Sequence, residues 1–133
     1  MNIALLAHDR KKELMVQFCI AYCGILAGHT ISGTNTTGRL VSEATGLPVT
    51  LYLSCSQGGS QQIGARIAYN EIDLVLFFCD PNGPESMKDL DDIARLCDQY
   101  NVPFASNVAT AEVLIRGLQR GDLDWRDIVN PKK

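Results

Sequence analysis

Leu74-Val75-Leu76-Phe77-Phe78 decides the fold of this chain. Five apolar residues in a row leave no polar face, so a strand here is covered on both sides, as strands of parallel sheets are. Cys79-Asp80-Pro81-Asn82-Gly83-Pro84 follows, and its prolines and glycine end any regular element. Working outward, Asn2-Ile3-Ala4-Leu5-Leu6-Ala7 reads as a second buried strand. Residues 49–53 and 102–106 are β-rich, and residues 30–33 fall where a further strand is expected. Between these segments, residues 11–26 set Leu14, Met15, Phe18, Cys19, Tyr22, Ile25 and Leu26 at helical spacing, with Asp9 as a candidate cap and Gly28 at the exit. Residues 39–44, 61–69, 89–100 and 110–118 read as further helices, the last capped by Asn107 or Thr110. Strand and helix alternate throughout. That pattern predicts an α/β three-layer sandwich with a mainly parallel five-stranded sheet, formed by residues 1–133 as a single domain.

The chain has 133 residues, 46% of them hydrophobic, and a net charge of −3. It has no basic stripe, which argues against a nucleic-acid partner. An anionic ligand would be met by local dipoles and a few cations rather than by global charge. Five cysteines, an odd number without paired spacing, read as reduced thiols in a cytoplasmic protein. Neither His8 nor His29 forms a ligand cluster with them, so no metal is expected. The N-terminus runs into a strand without a basic leader, and no apolar run approaches the roughly 20 residues that cross a bilayer. No membrane association is expected.

Ligands of open parallel sheets bind outside the carboxyl ends of the strands. His8, Thr36, Ser56, Asp80 and Asn107 all lie at such ends and are expected to converge on one crevice. Two runs there stand out: Thr34-Asn35-Thr36-Thr37-Gly38 and Ser54-Cys55-Ser56-Gln57-Gly58-Gly59-Ser60-Gln61-Gln62. Hydroxyls and unpaired backbone N–H groups beside a helix start bind oxyanions, most often phosphate. Thr36 and Thr37 alone would read as a helix cap, but a second run of the same kind turns the reading toward a phosphate site. Gly58 and Gly59 are expected to let backbone approach the ligand. Lys12, one helical turn after His8, adds a point charge. His8 is placed to donate to a carbonyl or enolate oxygen, or to the phosphate. Asp80 is either a base or orienting carboxylate, or the first residue of an Asx turn. Cys55 reads as a small residue that fits the loop or as a thiol activated by a helix start. His29 reads as a solvated bystander.

His8-Asp9 after the first strand, Thr36-Thr37-Gly38, Gly58-Gly59 with Gln61-Gln62, Asp80-Pro81, and residues 103–110 with Asn107 together resemble the methylglyoxal synthase family. The similarity runs in order from Asn2 to about residue 127. It implies a compact α/β domain assembled as a homohexamer, acting on dihydroxyacetone phosphate without metal or organic cofactor. A carboxylate removes a proton beside the carbonyl, an enediolate phosphate forms, and loss of phosphate yields methylglyoxal. By motif position, His8 matches the histidine that polarises substrate oxygens. Lys12, Thr34, Thr36, Thr37 and Gly38 match the phosphate-binding set, joined by Ser54, Cys55, Gly58 and Gly59 of the second loop. Asp80 matches a catalytic-site aspartate. The departures fall where protons move. Ser60 stands where the family carries its base aspartate, and Cys55 stands for a glycine. The loop after Asp80-Pro81 is one residue shorter and lacks the family's histidine; Ser86 is its counterpart, and Asp89 keeps the place of the following aspartate. Asn35 replaces a glycine between the threonines.

Two main functions follow. One is a methylglyoxal synthase in which Asp80 or Asp89 takes the proton that Ser60 cannot accept. The other is a non-catalytic module of the same fold that binds a phosphorylated metabolite; domains resembling this one serve as the regulatory region of carbamoyl phosphate synthetase, binding effectors. A third reading is another lyase or isomerase acting on a phosphorylated sugar.

Overall fold

The computed structural model describes residues 1–132. Five parallel strands form one sheet: β1 (Asn2–Ala7), β2 (Thr30–Thr34), β3 (Val49–Tyr52), β4 (Leu74–Phe78) and β5 (Phe104–Ala105), in the order β3-β2-β1-β4-β5. The helices are α1 (Lys12–Ala21), α2 (Cys23–Leu26), α3 (Asn35–Thr45), α4 (Gly59–Ala68), α5 (Lys88–Gln99), α6 (Val108–Arg120) and α7 (Trp125–Val129). β1 and β4 pair at the centre, with Ile3 opposite Leu74 and Ala7 opposite Phe78.

Both faces of that central pair are apolar, and successive side chains go to opposite layers. Ile3, Leu5, Leu74, Leu76 and Phe78 pack with Met15, Phe18, Val41 and Ile115 from α1, α3 and α6. Ala4, Leu6, Val75 and Phe77 pack with Ile63 and Ile67 of α4 and Ile93 and Cys97 of α5. The expected three-layer α/β sandwich is therefore observed. The order of strands reverses at the centre: from β1 the chain builds outward through β2 to β3, then returns to β4 on the other side of β1. Such a switch point opens a crevice at the carboxyl ends.

Several boundaries differ from the expectation. The first helical segment is broken: a 3₁₀ turn covers Asp9–Lys11, α1 follows, and the helix lapses at Tyr22 (φ −108°) before α2. Asp9 provides no side-chain cap. α3 begins at Asn35, directly off β2, so Thr36 and Thr37 lie in its first turn rather than in a loop. It exits through Gly46, in the left-handed region at φ 75°. Asn107, not Thr110, caps α6 by accepting the Thr110 N–H at 3.0 Å.

α7 was not foreseen. It is held by a buried ion cluster at the opposite end of the sheet from the crevice. Asp73, fully buried, accepts the Asn2 N–H at 2.8 Å and Lys132 Nζ at 2.7 Å, and lies 3.5 Å from Arg126 Nε of α7. Arg126 also donates to the Asn101 carbonyl. Burial raises the Asp73 pKa, but the Lys132 hydrogen bond, the Asn2 N–H and the charges of Lys132 and Arg126 outweigh it and hold the carboxyl below its ordinary value.

Candidate active site at the carboxyl ends of the strands

Three neighbouring strands end in the same backbone geometry. His8 after β1, Thr34 ending β2 and Ser54 after β3 have φ −64° with ψ 154°, 155° and 158°, and each leads into a helical turn without a side-chain cap. The first N–H groups of α3, an eleven-residue helix, are therefore left without side-chain acceptors. Cys55 and Ser56 N–H likewise find no backbone acceptor, whereas the Gln57 and Gly59 N–H groups return to Ser54 O.

A cavity of about 350 Å³ lies over these ends. The β1 end contributes His8, Asp9 and Lys12; the β2 end Thr34 and Thr36; the β3 end Ser54, Cys55 and Ser56. The segment from β4 into α5 closes it with Glu85, Ser86 and Asp89. Of the residues expected at a site, His8, Lys12, Thr34, Thr36, Ser54, Cys55, Ser56 and Asp89 are thus brought together.

His8 is 4% exposed and packs edge-on against Phe77, with ring centroids 5.5 Å apart. Its Nδ1 accepts the backbone N–H of Asp80 at 2.9 Å. A backbone N–H can only donate, so Nδ1 carries a lone pair and the ring proton sits on Nε2. The neutral imidazole is a hydrogen-bond donor beside the cavity.

Asp80, expected either as a base or orienting carboxylate or as the first residue of an Asx turn, is not among the residues lining the cavity. Its Oδ1 accepts the Asn82 N–H at 3.1 Å, the Asx-turn alternative, and Oδ2 lies 3.7 Å from Arg10 Nη1. The turn demanded by Pro81 and Gly83 directs the carboxylate away. Asn107 is likewise spent on capping α6. Ser60 also lies outside the cavity. It is 4% exposed, bonds Gln61 Oε1 at 3.2 Å, and borders a separate groove between α4 and α5.

The glycines of both loops have packing and backbone reasons of their own. A Cβ on Gly59 would overlap the Leu53 carbonyl, so only glycine lets α4 start beside the end of β3. Gly58, at φ 103°, makes the left-handed turn between the 3₁₀ turn Cys55–Gln57 and α4. A Cβ on Gly38 would strike Leu51 and Val49, which pack α3 onto β3. None of the three lines the cavity. Thr37 does not line it either, but its Oγ1 is the one buried side-chain nitrogen or oxygen among the described residues without a hydrogen-bond partner.

Lys12 Nζ sits 2.5 Å from Asp9 Oδ1, and that hydrogen bond, with the Lys12 charge, holds the Asp9 carboxyl below its ordinary value. The Cys55 thiol is pushed up to about 11, by burial first and then by the negative charge of Asp89. At that value it is protonated near neutral pH, which favours the small-residue alternative for Cys55.

Glu85 was missed in the sequence reading. Its Oε1 accepts the Asp9 N–H at 2.8 Å, tying the β4–α5 segment to the β1 end. The only available signal was a carboxylate between Pro84 and Ser86 in a loop leaving the central strand. No group of three or more His, Cys, Asp or Glu side chains able to hold a metal occurs among the described residues. No helix among them is long and apolar enough to cross a membrane.

Comparison with known proteins places this geometry. The MGS-like domain family model matches residues 15–106. The methylglyoxal synthase of Caldicellulosiruptor saccharolyticus is 59% identical over 133 residues, covering 99% of this chain and 94% of the relative. That of Geobacillus thermodenitrificans is 54% identical over 131 residues, covering 98% and 91%. The crystal structure of methylglyoxal synthase from Elizabethkingia anophelis NUHP1 superposes with a TM-score of 0.78 at 38% identity, covering 86% of this chain and 76% of that one. The fold, the strand-end crevice and these relatives agree, and the chain belongs to the methylglyoxal synthase family.

Proposed function

We propose that this chain is a methylglyoxal synthase, converting dihydroxyacetone phosphate to methylglyoxal and inorganic phosphate, with its 133 residues acting as one domain. The observation that carries the reading is the partnerless Thr37 hydroxyl in the first turn of α3, one residue on from Thr36, which lines the cavity. A buried hydroxyl without a partner costs about 1–3 kcal/mol, and a phosphate oxygen supplies what it lacks. Thr34, Thr36, Lys12 and the first N–H groups of α3 complete the phosphate seat, with the Cys55 and Ser56 N–H groups on the β3 side. The relatives support the synthase, and nothing among them favours the non-catalytic alternative.

In this reading the His8 Nε2–H bonds the substrate's carbonyl oxygen. Asp89 accepts the proton from the hydroxymethyl carbon, and the C–H electron pair forms the enediolate. That pair then returns to expel phosphate as the C–O bond breaks, leaving an enol that becomes methylglyoxal. Every step is a proton transfer or an elimination, so the scheme calls for no cofactor. Asp89 takes the role because it lines the cavity, whereas Ser60 and the Asp80 carboxylate do not. We also place the protein in the cytoplasm and assign it a homohexameric assembly. Leu51 and Leu53, exposed at the β3 edge, support a contact between copies.

The purified protein supplied with dihydroxyacetone phosphate should release phosphate and methylglyoxal in equal amounts. A wild-type rate no greater than that of the His8→Ala/Asp89→Asn double variant rejects the proposal.

A further inference from the structure

We propose that Glu85 makes the cavity a one-phosphate site: its carboxylate turns away compounds that carry a second phosphate. The inference rests on the phosphate reading above and adds a specificity-determining residue to it. Glu85 is half-buried in the cavity wall and is not free to swing outward, because Oε1 is held by the Asp9 N–H at 2.8 Å. That bond also removes a backbone donor that an anion would otherwise use. Asp89 lines the same wall, so two carboxylates face whatever lies there. Cys55 of the β3 end lines the same cavity, and the negative charge of both carboxylates is felt there, raising the Cys55 pKa after burial has done so.

The supply of positive charge is small. Among the described residues Lys12 is the only lysine or arginine in the cavity wall, and it is shared with Asp9 at 2.5 Å. Together with the α3 N-terminus and the threonine hydroxyls it suits one phosphate. A second phosphate within about 350 Å³ would meet the carboxylates of Glu85 and Asp89 with no second cation in the wall to offset them. The neutral, hydroxyl-bearing end of a monophosphorylated ketose instead finds acceptors there. The cavity thus selects by repulsion at one end as well as by attraction at the other.

The test compares two inert probes by calorimetry on the full-length protein: 3-hydroxypropyl phosphate and propane-1,3-diyl bisphosphate. Wild type should bind the monophosphate more tightly by on the order of tenfold. Glu85→Gln keeps an oxygen for the Asp9 N–H and loses the charge, so the ratio of the two affinities should move toward the bisphosphate by roughly tenfold. Glu85→Asp, which keeps the charge, should retain the wild-type preference. An unchanged ratio in Glu85→Gln, with the monophosphate still bound, overturns the inference and leaves the phosphate site standing. Failure of wild type to bind the monophosphate overturns both. Should Glu85→Gln not fold, the wild-type ratio still decides: equal affinity for the two probes contradicts the proposal.

Discussion

The backbone N–H of Asp80 donates to Nδ1 of His8 at 2.9 Å, so the central strand pair fixes the tautomer of the histidine at its own carboxyl end. What Asp80 contributes to the site is its amide, while its carboxylate closes the turn to Asn82. Replacing the side chain without moving the backbone should therefore be mild. Asp80→Asn is expected to keep phosphate release from dihydroxyacetone phosphate within about tenfold of wild type, whereas His8→Ala should cost about 10²- to 10⁴-fold. Initial rates under saturating substrate measure both.

Asp89 sits in the first turn of α5 and lines the cavity. As the proton acceptor it should affect turnover far more than binding. Asp89→Asn is expected to lower kcat by about 10²-fold or more while KM changes little, because an amide keeps the shape but cannot take the proton. A rise in KM at unchanged kcat would assign Asp89 to binding instead.

Thr37 separates stability from function. Thr37→Val removes a buried hydroxyl that no protein group satisfies, so the unliganded protein should unfold at the same temperature or higher. The same change should weaken inorganic phosphate binding by roughly tenfold, since one donor to the anion is lost. Thermal unfolding with and without phosphate reads both effects in one experiment.

The Asp73 cluster should govern acid stability. Its carboxyl is held below the ordinary value in the folded protein. The stabilisation is therefore complete above the unfolded pKa of about 3.9 and is lost as pH falls through the lower folded value. Asp73→Ala leaves Arg126 buried beside no carboxylate and should cost about 3–5 kcal/mol at neutral pH. The gap between variant and wild type, measured by urea unfolding, should stay level down to about pH 5 and narrow below about pH 4.

Much of this architecture was legible because apolar patterning reports burial directly. Leu74-Val75-Leu76-Phe77-Phe78 could only be a strand covered on both faces, and it pairs with β1 as such a strand must. Placing polar residues at strand ends found His8, Thr36 and Ser56 for the same reason. The misses depend on contacts across the chain. Gly59 looks like a ligand-facing glycine until the Leu53 carbonyl is seen beside it. Thr36 and Thr37 are loop-like residues by type, yet a helix starts before them. Whether Asp80 or Glu85 points into the cavity turns on the path of a loop with two prolines, and spacing does not encode that path. α7 has only five residues, too few for a periodic signal, and depends on Arg126 meeting Asp73 from 53 positions away.

The position of bound phosphate tests the central claim most directly. A crystal structure of the protein grown with inorganic phosphate should show the anion in the strand-end cavity, within hydrogen-bond distance of Thr37 Oγ1 and the first N–H groups of α3, with Lys12 turned toward it. Phosphate bound elsewhere, with the Thr37 hydroxyl still without a partner, would contradict the account.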